Sequence, residues 1–142
     1  MEALECGAAS LAIVLAHFNR WVPLEKLRIE CGVSRDGSKA SNVLKAARRY
    51  GLVGKGLRTE PEILRTLKPP MIIHWNFNHF LVFDGFFGNK ARINDPAAGP
   101  RMITHEELDQ SFTGVVLTLE PGPKFEPGGD PPRLLPALAK RL

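Results

Sequence analysis

The hydrophobic pattern of this chain changes period at Lys68-Pro69-Pro70, and that change restricts the fold more than any other feature. Upstream, Leu11, Val14, Leu15 and Phe18 recur at helical spacing and make one buried face of a helix that begins near Cys6 and ends near Phe18. A shorter helical stretch covers Pro23 to Glu30 and stops at Cys31-Gly32. A third helix begins near Ser38 or Ser41 and runs to Tyr50, with Gly51 as its C-terminal cap. Leu52–Leu57 reads as a strand. Thr59-Glu60-Pro61-Glu62 then fits a capping box opening a helix to about Leu67, which the prolines end. Downstream the runs are strand-like: Met71–Trp75, His79–Phe87, Ala91–Asn94 and Gly114–Leu119. Thr104-His105-Glu106-Glu107 is a second capping box, opening a short helix before the last strand. Helices first and an antiparallel sheet second predict an α+β fold, N-terminal helices packed on a C-terminal sheet.

At 142 residues the chain suits one domain around one core. We place that domain at residues 1–120. Beyond Glu120, Pro121-Gly122-Pro123 and the Pro/Gly run from Pro127 to Pro132 continue neither helix nor strand. Residues 121–142 therefore read as a linker, ending in the basic amphipathic segment Leu134–Leu142. No apolar run approaches the roughly 18 residues that span a bilayer, and no signal peptide is apparent. A formal charge of +4, scattered through helical stretches, describes a solvated face. That excess suits an anionic membrane surface better than nucleic acid, which we exclude as a partner.

The chemistry-bearing residues are few. Cys6 stands in a first helical turn, where unpaired backbone N–H groups and the positive end of the dipole favour thiolate over thiol. The thiolate is the nucleophilic form. Cys31 reads as a small buried hydrophobe, and without a secretory signal a Cys6–Cys31 bridge is not expected. A base could come from His74 or His79, five residues apart around the Asn76–Asn78 turn, whereas His17 and His105 read as surface groups. An orienting carboxylate could come from Asp84 or Asp95, each followed by a turn residue, and spacing alone leaves both pairs open.

Cysteine on an early helix, histidine heading a strand and Asp/Asn after the next strand is the order of papain-like cysteine peptidases. Glu5-Cys6-Gly7-Ala8-Ala9-Ser10-Leu11, Gly37-Ser38-Lys39-Ala40, Asn78-His79-Phe80-Leu81-Val82 and Asn94-Asp95-Pro96-Ala97-Ala98-Gly99 together resemble the C39 peptidase domain. That domain precedes the membrane and ATPase parts of bacterial peptide-exporting ABC transporters, and the resemblance covers Met1 to Glu120. It implies a papain-like fold with Cys6 as nucleophile, His79 as base and Asp95 as its orienting partner. The implied reaction removes leader peptides after a double-glycine motif from exported bacteriocin-like peptides, on the cytoplasmic face of the inner membrane. The implied partners are that leader and the transporter's membrane and ATPase domains, with a homodimer in the full transporter. No metal or organic cofactor is expected in the peptidase domain, ATP belonging to a separate domain.

Arg35-Asp36-Gly37-Ser38-Lys39-Ala40-Ser41-Asn42 is similar to the transporters that serve nitrile-hydratase-like leaders. The family also carries a glutamine six residues before the cysteine, which helps hold the oxyanion. Here that position falls immediately before Met1, and neither Met1 nor Glu2 can supply the amide. The expectation is a chain truncated before Met1 and a weakened peptidase, because one lost oxyanion donor costs on the order of 10²–10³ in turnover. Two rivals are a docking module that holds a leader without cleaving it and a cysteine transferase on the same fold. Gly128-Gly129 lacks an upstream apolar helix and is not expected to be a self-cleavage site.

Overall fold

A computed structural model describes residues 5–32 and 39–131. Three helices come first: α1 (Cys6–His17), α2 (Leu24–Glu30) and α3 (Ala40–Arg49). They are followed by β1 (Leu52–Arg58), a 3-10 helix (Pro61–Thr66), β2 (Met71–Trp75), β3 (His79–Phe87), β4 (Lys90–Asp95), β5 (Gly99–Thr104), α4 (His105–Ser111) and β6 (Phe112–Pro121). The strands form one six-stranded sheet in the order β1-β6-β2-β3-β4-β5. Every neighbouring pair is antiparallel. This is the expected α+β arrangement.

Helices cover one face of the sheet. Ile72, Phe80, Val82, Leu117 and Leu119 point from the strands into a core shared with Leu11, Val14, Leu15, Leu27 and Val43. The opposite face is covered too: Ile73, Leu81, Phe83 and Val116 pack with Leu64 of the 3-10 helix and Leu108 of α4. A central strand buried on both faces carries apolar residues on both. That is why β2 and β3 appear in the sequence as nearly unbroken apolar runs.

The front half of α1 departs from a one-sided helix. Cys6, Gly7, Ala8, Ala9, Ser10 and Leu11 are all buried, so its head is inserted into the protein rather than laid on it. Only small side chains allow that depth, and the Gly-Ala-Ala-Ser run supplies them. The expected single stripe reappears from Leu11, with Val14 and Leu15 buried and Phe18 packed at the core's edge.

Three elements differ from the sequence reading. The Thr59 capping box does not form: Glu60 is the N-cap without a side-chain bond, and the segment is a 3-10 helix, with Pro61 at its start. The Thr104 cap does form, its Oγ1 accepting the Glu107 N–H at 3.1 Å. Strand β5 was not expected, because only Ile103 of its residues is fully buried and Pro100 interrupts its pattern. As an edge strand it tolerates a proline whose missing N–H faces outward.

The third difference concerns the domain boundary drawn at residue 120. β6 continues to Pro121, and Gly122 N–H donates to Gly51 O at 2.9 Å. Phe125 meets the Phe18 ring edge-on at 6.3 Å between centroids. Gly128 N–H donates to Asn19 O at 2.9 Å and Trp21 N–H to Gly128 O at 2.8 Å. Residues 122–130 are thus a strap bound across the α1–α2 corner. Proline and glycine bar regular structure there, but backbone hydrogen bonds need none. The sequence readings at Met1 and Glu2, Arg35–Ser38 and Leu134–Leu142 lie outside the described residues. No helix of the described residues is long and apolar enough to cross a membrane.

Candidate active site

Cys6 opens α1 where that helix meets β3, and it is 3% exposed. The backbone N–H of Phe80 donates to its Sγ at 3.2 Å. The preceding residue is fixed as well: Glu5 Oε1 lies 3.1 Å from Arg28 Nη2, tying the head of α1 to α2.

His79 heads β3, delivered by the β2–β3 hairpin. Asn76 and Phe77 at its tip have left-handed backbones, φ 51° and 61°. Asparagine adopts that conformation readily, but phenylalanine does not. The Asn76 N–H is held by Ser111 O at 2.8 Å, which anchors the turn. His79 Nε2 lies 2.8 Å from Asp95 Oδ1, and both side chains are largely buried. The same Oδ1 accepts the Ala97 N–H at 2.8 Å, so the carboxylate is oriented from both sides.

These contacts set the charges. The His79 ring is pushed up to about 9, chiefly by a hydrogen bond to Cys6, against burial and with the help of Asp95. With Nε2 engaged by Asp95, Nδ1 is the nitrogen left for the thiol. Burial pulls Asp95 upward, but the His79 bond and the Ala97 N–H outweigh it and hold the carboxyl below its ordinary value. The ring therefore carries its proton at neutral pH beside an ionised carboxylate.

The alternatives that spacing left open make other contacts. His74 sits opposite Phe80, with Nδ1 2.8 Å from Thr113 Oγ1. Burial, and then the neighbouring His79 charge, hold it below its ordinary value. Asp84 faces Arg92, Oδ2 to Nε 3.6 Å, and burial raises it. Cys31 is a free, fully buried thiol that burial pushes up to about 11, in keeping with a packing role. His17 is exposed at the end of α1, and His105 is half-buried against Phe86. Three partners had no signal in the sequence: the Phe80 N–H, Thr113 and Arg28. Each is placed by tertiary packing rather than by spacing. Among the described residues no three His, Cys, Asp or Glu side chains converge as metal ligands.

Comparison with known proteins places the chain among transporter-associated sequences and structures. The colicin V secretion/processing ATP-binding protein CvaB of Escherichia coli is 38% identical over 125 residues, 88% of this chain but 18% of its own length. The probable microcin-H47 secretion/processing ATP-binding protein MchF, also of E. coli, is 36% identical over 87% of the chain. The chain thus spans about a fifth of the curated relatives it matches. Among solved structures, a double glycine motif protease from an AMS/PCAT transporter, in complex with the leader peptide, is 64% identical with a TM-score of 0.82. That match covers 85% of this chain and 87% of the other. The peptidase domain of Streptococcus ComA shares the fold at 24% identity and a TM-score of 0.79. The Peptidase C39 family model matches residues 1–124, and on that match the chain belongs to the peptidase C39 family.

Proposed function

We propose that this chain cleaves leader peptides after a double-glycine motif, with Cys6 as nucleophile, His79 as general base and acid, and Asp95 as the residue that orients the ring. The observation that carries this reading is the linked set of contacts from Phe80 N–H and Cys6 through His79 to Asp95. In the resting pair the imidazolium of His79 faces the thiolate of Cys6. The sulfur attacks the scissile carbonyl, forming a C–S bond as the carbonyl π electrons move to oxygen. Collapse breaks the C–N bond while His79 donates its proton to the leaving amine. The acyl group remains on Cys6 as a thioester. Neutral His79 then takes a proton from water, which displaces the sulfur, releases the carboxylic acid and restores the pair. Asp95 stays ionised throughout and fixes which ring nitrogen meets the sulfur. A glycine pair is a coherent requirement for a site too narrow to admit a Cβ near the bond.

Transporter context belongs to the same proposal. CvaB and MchF are secretion/processing ATP-binding proteins, so the membrane and ATPase domains of such a transporter are the proposed partners. The proposed location is the cytoplasmic face of the inner membrane, with two copies in the full transporter. No cofactor takes part in the peptidase step, ATP being used by another domain. A nitrile-hydratase-like leader is the proposed variant. The test is incubation with a synthetic double-glycine leader peptide, read by mass spectrometry with Cys6→Ala as control. Cleavage after Gly-Gly that disappears in the control is expected. Tight binding without cleavage would make the chain a docking module and overturn the proposal.

A further inference from the structure

Where the strap passes the C-terminal end of α3, a pocket of about 340 Å³ is lined by Arg20, Arg48, Arg49, Lys124, Tyr50 and Glu126. Four cations thus face a single carboxylate, leaving three positive charges in excess. Glu126 does not compensate them, because none of the four cations forms an ion pair among the described residues. The nearby Glu30 carboxylate is engaged elsewhere, accepting the Tyr50 hydroxyl at 2.5 Å.

Two of the guanidinium groups are fixed in advance. Arg20 lies over the Tyr50 ring at 5.4 Å and donates from Nη1 to Glu126 O at 3.4 Å. Arg48 donates from Nη2 to Gly54 O at 2.9 Å. Most informative is Arg20 Nε, which is buried and has no hydrogen-bond partner among the described residues. A buried charged donor left unpaired is costly, so a site that retains one has a reason to. Arg48 and Arg49 alone would have a simpler explanation, since cations in a last helical turn complement the helix dipole. That explanation reaches neither Arg20, from the α1–α2 corner, nor Lys124, from the strap.

We propose that this pocket is an anion site that takes a phosphate group. A tetrahedral oxyanion matches forked guanidinium donors, and the pocket has room for a second phosphate or an attached alcohol. The shared chemistry is the phosphate, whether of a soluble polyphosphate or of a lipid headgroup. The site is separate from the chemistry at Cys6 and independent of the proposed peptidase reaction.

The test uses the full chain and Cys6→Ala. Inorganic pyrophosphate is titrated calorimetrically against the parent, Arg20→Gln, Arg49→Gln and Arg101→Gln, the last lying on the far edge strand. Each protein's melting temperature checks its fold, and the exposed Arg49 guards against a misfolded Arg20 variant. Saturable binding is expected, weakened about tenfold or more by Arg20→Gln and Arg49→Gln and spared by Arg101→Gln. In a second arm, phosphatidylcholine vesicles with and without phosphatidylglycerol are sedimented with the same proteins. Arg20-dependent capture only by the phosphatidylglycerol vesicles assigns the phosphate to a headgroup, whereas pyrophosphate binding without capture assigns it to a soluble ligand. No binding in either arm, or equal weakening by Arg101→Gln, overturns the proposal.

Discussion

Replacing Asp95 with asparagine tests the charge relation at the centre of the site. The His79 ring is held near 9 by its bond to Cys6, opposed by burial and assisted by Asp95. Asparagine keeps an oxygen that can accept from Nε2 and from the Ala97 N–H but removes the negative charge 2.8 Å from the ring. An adjacent opposite charge shifts a titration by about one to three pH units. Because Cys6 is the larger cause and remains, the lower figure applies, an effect of about 1.4 kcal/mol. The proton on His79 is the one given to the leaving amine. The alkaline limb of kcat/KM should therefore stand near pH 9 in the parent and about one pH unit lower in the variant. At pH 9 that is roughly a fivefold loss, and at pH 7 almost none. Stability carries the same sign. A ring raised from 6.5 to about 9 contributes fully below pH 6.5, and that contribution is lost as pH rises through 9. Asp95, held low, contributes above its ordinary value and loses that contribution under acid. The assay is initial-rate cleavage of a fluorogenic Gly-Gly leader peptide from pH 6 to 10.5. An unmoved alkaline limb with retained activity would refute the reasoning, since the carboxylate charge would then not be helping to hold the ring protonated.

Three further outcomes are expected. Gly129→Ala puts a Cβ 2.1 Å from Trp21 O at φ 76°, a backbone that itself costs about 1–2 kcal/mol with a side chain. It should undock the strap, lowering the melting temperature and opening residues 122–130 to protease, and an unchanged digestion pattern would contradict the packing described. Glu5→Gln should cost at most about 1 kcal/mol of stability, the pair with Arg28 being partly exposed, yet reduce kcat more than it changes KM. The double exchange Glu5→Arg with Arg28→Glu should recover part of that rate, and no recovery would count against a positioning role. In Cys6→Ala protein, Cys31 should resist iodoacetamide at pH 8 until urea unfolds the chain, because it is fully buried and raised to about 11. Rapid labelling of the native protein, read by mass spectrometry, would show otherwise.

The central strands were legible because burial on both faces leaves almost no polar residue to interrupt Met71–Trp75 or His79–Phe87. β5 was not, since an edge strand with a proline and exposed arginine and methionine carries little apolar signal. Local capping was legible only where local energy decides. Thr104 caps α4, whereas at Thr59 the backbone N–H is drawn to Gly114 O and the chain enters a 3-10 helix at Pro61. At the site, spacing left His74 against His79 and Asp84 against Asp95. The difference lies in which residues the hairpin and the β4–β5 turn bring to the head of α1. Only packing fixes that, as it does the Phe80 N–H on Cys6. The strap was misread because a Pro/Gly composition describes what a segment cannot form, not whether it is bound.

That strap also has a mechanical meaning. Its hydrogen bonds end on Asn19 and Trp21, just past the C-terminal end of α1. Cys6 stands at the other end of that 12-residue helix, about 18 Å away. Because the small side chains of its head let it insert into the protein, α1 acts as a stiff rod between strap and sulfur. Tension applied to the chain beyond Asp130 would be delivered along that rod to the nucleophile, displacing it against the strand that holds its base.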